Sequence, residues 1–332
     1  MTHSELPHAP SRRWFARATA LLAVLGAVAL APSHAQNKAD LLRIGFQKSA
    51  SLLTLQKTQG TLEKRLAPLG VAVKWVEFPA GPQLLEGLNV GAIDIGYVGE
   101  APPIFAQAAG AKFVYIGNDP AAPEAEAIVV PKDSAIRSLA DLKGKKVALN
   151  KGSNVHYLLV KALEKHGLKY ADIQPVFLAP ADARAAFERG AVDAWAIWDP
   201  FLAAVEKQSG ARILVDGRGL VNNYAYYLAE RGYVEKYPQV VQLLFDDTVV
   251  QGQWLKANLK QAAAIIAPQQ GLEPAVVERS LQRYLFGVKP VTAVVAAEQQ
   301  KIADAFLTLG LIPKPIRIAD ALPGAAQTAL AK

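Results

Sequence analysis

No cysteine occurs among the 332 residues, so disulfides, thiolate nucleophiles and thiolate metal sites are excluded. Methionine appears only at position 1, and of five histidines only His156 and His166 lie beyond residue 35. Two imidazoles cannot build a histidine metal cage, and a Ser-His-Asp triad would have to rest on one of them. Beyond residue 35 no Lys/Arg run exceeds two residues, as at Lys145-Lys146, which leaves no nucleic-acid footprint. Gly144-Lys145-Lys146 has neither the glycine loop of a P-loop nor the Ser/Thr after its lysine. The apolar run over residues 18–31 is shorter than the roughly 20 residues a spanning helix needs, and no other run reaches that length.

The N-terminus reads as a targeting segment. Ser11-Arg12-Arg13-Trp14-Phe15-Ala16-Arg17 is a twin-arginine pattern, the apolar run follows it, and Ser33-His34-Ala35 offers small residues for cleavage near Ala35. An ordinary Sec signal with two arginines in its basic region is the competing reading. Removal of residues 1–35 takes away three arginines and one glutamate and lowers the formal charge from +7 to +5. A mild excess of this kind attracts anions, but it serves solubility equally well.

From residue 42 onward strand and helix patterns alternate, which predicts an α/β fold. The first series has strands at 42–46, 71–78, 93–98 and 113–116, with helices at 52–66, 82–89 and 102–109. Residues 118–124 hold two prolines and no apolar periodicity, and read as a linker. A second series has strands at 127–130, 146–149, 175–178, 191–197 and 211–215, with helices at 154–166, 181–188 and 200–208. Asn222-Asn223 marks another break before a strand at 224–229, and residues 234–309 are mainly helical. Two α/β lobes are the economical arrangement: residues 36–122 and 224–332 form lobe 1, and residues 123–223 form lobe 2. Two crossovers make a hinge, and hinged lobes close over ligands. A linear chain of three domains is the alternative.

Three segments place a helix start just after a strand. They are Lys151-Gly152-Ser153-Asn154-Val155-His156-Tyr157, Phe78-Pro79-Ala80-Gly81-Pro82-Gln83 and Gly99-Glu100-Ala101-Pro102-Pro103. The first N–H groups of a helix have no partner within it, so such a start holds an anion. Several together point to a receptor for a small anion.

These residues carry a resemblance. Ile44-Gly45-Phe46-Gln47-Lys48, the Phe-Pro-Ala-Gly-Pro-Gln segment ending at Gln83, residues 99–110, residues 140–148 and Lys151–His156 all resemble the aliphatic sulfonate-binding proteins. So do residues 180–187 and the segment from Asp193 to Trp198-Asp199-Pro200. The resemblance covers residues 42–315. Asp141-Leu142-Lys143-Gly144-Lys145 is shared widely among type II receptors, whereas the Phe-Pro-Ala-Gly-Pro-Gln and Trp-Asp-Pro segments together are specific. It implies a two-lobed periplasmic binding protein of type II, each lobe a mixed sheet flanked by helices. It further implies capture of alkanesulfonates for sulfur acquisition, delivery to a cognate ABC transporter permease and its ATPase, and no catalytic activity, cofactor or metal. A monomer in the periplasm is expected. Taurine, sulfate esters, nitrate or a pyrimidine are the other ligands such a fold takes. Gly99-Glu100 departs from the Gly-Asp of many members and bears on ligand size. The tail after Glu230 matches loosely and contributes no site residue.

A sulfonate is permanently ionised, with three acceptor oxygens and no proton to donate, so its site should offer donors. The expected ligand-binding residues are Gln47, Gly81, Pro82, Gln83, Gly99, Glu100, Ser153, Asn154, His156, Trp198 and Asp199. Each has a plainer role available. Ser153 and Asn154 suit N-capping, His156 a packed helical histidine, Gln47 a loop amide and Trp198 core packing. Asp199 suits a cap or a hinge partner, and Glu100 could accept from Gln47 or from a ligand amine. Trp75 and Trp195 read as core, and His166 as a helix-end cation.

Overall fold

The computed structural model describes Met1 and residues 39–324, so the expected signal segment lies outside the described residues. Residues 39–324 form one compact unit built on two five-stranded mixed sheets. The first sheet has the order β2-β1-β3-β10-β4: β1 is Leu41–Phe46, β2 Ala72–Glu77, β3 Ile95–Gly99, β4 Phe113–Asp119 and β10 Ala225–Glu230. The second has the order β7-β6-β8-β5-β9: β5 is Glu126–Val130, β6 Lys146–Leu149, β7 Gln174–Phe177, β8 Ala194–Trp198 and β9 Arg212–Asp216.

Both sheets follow one rule. β1, β2 and β3 are mutually parallel, as are β6, β7 and β8, whereas β10 and β5, the strands that arrive from the other sheet, run antiparallel to their neighbours. The register explains why. Ala225 opens β10 opposite Gly99 at the carboxyl end of β3, and Glu126 opens β5 opposite Trp198 at the carboxyl end of β8. A strand entering beside the carboxyl ends of a parallel set has only the reverse direction open to it. The crossovers therefore lie at the sheet edge where open α/β folds hold ligands. The crossing segments also bind each other: Ala122 N–H donates to Asn222 O at 3.0 Å, and Gly217 N–H to Pro123 O at 2.9 Å.

Helices cover both sheets. In the first series α1 is Ser51–Gln59, α2 Thr61–Leu66, α3 Gly81–Asn89 and α4 Pro102–Ala108; in the second, α5 is Asn154–Lys165, α6 Pro180–Glu188 and α7 Phe201–Ser209. The helix expected over 52–66 is two, because Gly60 takes a left-handed conformation (φ 62°) and ends α1. The segment expected as a linker from 118 still belongs to β4 through Asp119, so the link itself is shorter.

The tail contains α8 (Arg231–Lys236), α9 (Pro238–Ala257), α10 (Leu259–Gln270), α11 (Pro274–Leu281) and α12 (Ala293–Thr308). α9 and α10 pack on α1, whereas α11 packs on α7 of the second series through Val276 against Ala203 and Ala204. Phe306 of α12 packs against Phe105 of α4 at 5.0 Å and edge-on against Tyr157 of α5 at 5.8 Å. The tail thus braces both lobes. One apolar cluster runs from Leu84 and Ile104 through Phe306 to Leu158 and Trp195. Trp195 is fully buried as expected; Trp75 is only half-buried, its indole N–H donating to Glu63 at 2.7 Å.

Candidate functional site

A small cavity of about 30 Å³ lies between the carboxyl ends of the two sheets. The first lobe lines it with Gln47, Ser49, Gly81, Tyr97, Gly99 and Pro102, and the second with Ser153, Asn154 and Trp198. Asn223 and Ala225 at the return crossover and Tyr284 from the tail complete the wall. No lysine, arginine or histidine and no carboxylate is among these residues.

The donors are set by local geometry. Ser153 holds the N-cap position of α5 in extended conformation (φ −86°, ψ 170°) but does not cap: its hydroxyl donates back to Asn150 O at 2.7 Å. Consequently the N–H groups of Asn154 and Val155 find no acceptor among the described residues. α3 starts likewise, with Ala80 at its N-cap making no side-chain bond and the Gly81 N–H unpaired among the described residues. Gln47, just beyond β1, is pinned by donation from its amide to Tyr97 O at 3.0 Å. Burial holds the Tyr97 and Tyr284 phenols well above the usual range, so both keep their protons and can donate.

Asn154 ties α5 to both crossovers. Its amide donates to Glu126 Oε2 at 2.6 Å and to Asn223 Oδ1 at 2.9 Å, while Asn223, itself left-handed (φ 51°), donates to Ala122 O at 2.8 Å. Gly99 makes room for this: a Cβ there would sit 2.7 Å from Asn154 Oδ1.

Not every expected residue reaches this cavity. Gln47, Gly81, Gly99, Ser153, Asn154 and Trp198 meet there, whereas Pro82 and Gln83 line a neighbouring groove. Glu100 is buried beside a third cavity and accepts from Tyr224 N–H at 2.9 Å; burial pushes it up to about 8. Glu126 is raised well above the usual carboxyl range by burial and then by the charge of Glu100. Asp119, beside Tyr97 and Tyr227, is pushed up to about 7, chiefly by burial. These upward shifts lessen the carboxyls' repulsion of an anion near neutrality.

His156 is fully buried and packs against Tyr170, Phe177 and Phe306. Burial, with Lys151 nearby, pushes it down to about 4, so it is neutral and accepts from Gly152 N–H. Asp199 accepts from Ala203 N–H at 2.9 Å in α7 and pairs with Arg283 at 3.1 Å. Both residues are structural in this arrangement, which is the plainer role each had from sequence.

Ser49, Tyr97, Asn223 and Tyr284 went unanticipated. Tyr97 shares a strand face with Gly99, two residues on, and that spacing was a usable signal. Tyr284 lies in a tail whose packing no local pattern reveals. Among the described residues no group of three or more His, Asp or Glu side chains could hold a metal, and no helix is long and apolar enough to cross a membrane.

Two mixed sheets, a double crossover and a donor-lined interlobe cavity define a hinged solute-binding protein of the type II architecture. Residues 35–267 match the NMT1-like family, and the chain belongs to the aliphatic sulfonate-binding proteins within that group. A relative from Escherichia coli (strain K12), named as an aliphatic sulfonates-binding protein, is 47% identical over 86% of this chain and 89% of its own length. A Bacillus subtilis (strain 168) relative of the same name is 36% identical over 90% of each chain. The alkanesulfonate-binding protein SsuA from Xanthomonas axonopodis pv. citri, solved bound to MOPS, superposes with a TM-score of 0.82 at 45% identity, covering 86% of this chain and 99% of that one.

Proposed function

We propose that this protein is an exported receptor that captures alkanesulfonates in the interlobe cavity and delivers them to an ABC permease and its ATPase for sulfur acquisition. The reading rests above all on a cavity that offers backbone, hydroxyl and amide donors but no basic side chain or carboxylate among its lining residues. A sulfonate needs such a site: it must be bonded on three oxygens and has no proton to give. The headgroup is bound by the N–H groups of Gly81, Asn154 and Val155, with Ser49, Gln47 and Tyr284 as side-chain partners. Trp198 forms an apolar wall. Each hydrogen bond to a charged group contributes a net ~1.5–3 kcal/mol. Four of them, less the costs of ordering and closure, reach the about −8 kcal/mol of a micromolar complex.

The protein acts as a monomer in the periplasm after cleavage near Ala35, and it turns over no substrate. A thermal-shift screen over ethanesulfonate, taurine, an alkyl sulfate ester, nitrate and uracil tests the assignment. Millimolar ethanesulfonate is expected to raise the melting temperature. A flat response to sulfonates beside a positive one to nitrate or uracil would overturn it. Incubation with an aryl sulfate is expected to release no phenol.

A further inference from the structure

A groove of about 460 Å³ adjoins the headgroup cavity and is not explained by holding a sulfonate oxygen. Its walls are the facing stripes of α3 and α4, which pack side by side. α3 contributes Pro82, Gln83, Leu85, Glu86 and Asn89, and α4 contributes Pro102, Phe105 and Ala106, with Ala109 just beyond its end. Gln83 apart, both sets follow the i, i+3, i+4, i+7 spacing of a single helix face. Pro102 lines the groove and the headgroup cavity alike. At the same mouth the chain passes from Gly81 in the cavity to Pro82 in the groove, and from Ser153 in the cavity to Gly152 in the groove. Gly152 brings the second lobe against Phe105, whose ring is 3.4 Å from where a Cβ at position 152 would stand. Charge is confined to Glu86 and Lys151, both exposed at the rim.

We propose that this groove seats the alkyl tail of the bound sulfonate and sets the preferred chain length. The inference rests on the reading of the cavity as a sulfonate headgroup site. Both helices start at that cavity, so their stripes lead away from it. The seven helical steps from Pro82 to Asn89 span roughly 10 Å, about the reach of an octyl chain. Pro102 and Phe105 stand at the entrance, and Leu85, Ala106 and Ala109 follow along the walls.

Calorimetric titration of the purified protein with ethane-, butane-, octane- and dodecanesulfonate tests this. Affinity is expected to rise about fourfold for each methylene buried, up to octanesulfonate, and to level off beyond it. Ala106→Gln and Ala109→Gln, neutral changes on the groove wall and outside the headgroup cavity, should each remove at least tenfold of the octanesulfonate advantage. Ethanesulfonate affinity should stay within about twofold, which also certifies the fold; Ala109 is exposed, so that variant in particular is not expected to disturb packing. If ethanesulfonate binds but octanesulfonate binds no tighter, or if the variants weaken both ligands equally, the groove assignment is overturned while the headgroup reading stands. If no sulfonate of any length binds, both are overturned.

Discussion

The Asn154 amide stands 2.6 Å from Glu126 Oε2, joining the first turn of α5 to the first residue of the strand that enters the second lobe. Glu126 is fully buried, and among the described residues its carboxyl accepts one hydrogen bond, from Asn154. Asn154→Ala therefore leaves a buried carboxyl unpartnered and takes from Asn223 Oδ1 the bond that Asn154 donates. A loss of about 1–3 kcal/mol in stability is expected, measurable by urea unfolding. Sulfonate affinity should fall about tenfold or more in the still-folded protein, because α5 loses its register against the crossover. Unchanged affinity would separate the Asn154–Glu126 bond from ligand binding.

Stability should depend on pH through the buried carboxyls. Glu100 is pushed up to about 8 and Asp119 to about 7, and Glu126 is raised in the same direction, each mainly by burial. With folded values above unfolded ones, the native state holds more protons, so stability falls as pH rises. For Glu100 and Asp119 that contribution is fully present below about pH 4 and is lost as pH rises through about 7 to 8. His156 works the opposite way: pushed down to about 4, it erodes stability as pH drops from 6.5 toward 4. Between pH 6.5 and 8 the carboxyls act without opposition from His156. Melting temperature is expected to decline across that window, and Glu100→Gln should flatten the decline. Ionised carboxyls also repel an anionic ligand, so sulfonate affinity should weaken across the same range.

Much of the architecture was legible because it is local. The strand over Lys146–Leu149 and the helix that opens at Asn154 follow from an apolar run, a glycine turn and a helical period. Two sheets with two crossovers followed from the order of those elements. What escaped depends on tertiary contact. His156 occupies the first turn of α5, where either a ligand or the core could claim its ring, and the stack of Tyr170, Phe177 and Phe306 decides for the core. Those partners lie up to 150 residues away along the chain. Tyr284 reaches the cavity because α11 docks on α7, a pairing that no periodicity announces.

That docking has its own test. Arg283 pairs with Asp199 and also with Glu206, and the Arg283 and Asp199 side chains are almost wholly buried. Removing one member of a buried ion pair leaves an uncompensated charge at a cost of about 3–5 kcal/mol. Arg283→Met should show a loss of that order by denaturant titration. Asp199→Asn in the same chain should recover part of it, because the stranded carboxylate is then gone. A neutral outcome for Arg283→Met would mean that α11 does not depend on this pair for its seat.

Gly99 offers the sharpest test of lobe closure. It ends β3 with no side chain, and a methyl group there would lie 2.7 Å from Oδ1 and 2.9 Å from Cγ of Asn154 in the opposite lobe. Overpacking at such a contact costs about 1–3 kcal/mol, but the cost is escaped if the lobes stay apart. Gly99→Ala is therefore expected to keep the ligand-free melting temperature nearly unchanged while weakening ethanesulfonate about tenfold or more. Small-angle scattering with saturating ligand should show a larger radius of gyration than the unsubstituted protein gives. Pairing the change with Asn154→Ala removes the opposing amide, so the two substitutions should be markedly non-additive in binding free energy. Simple additivity would place the defect within the first lobe and would sever Gly99 from closure.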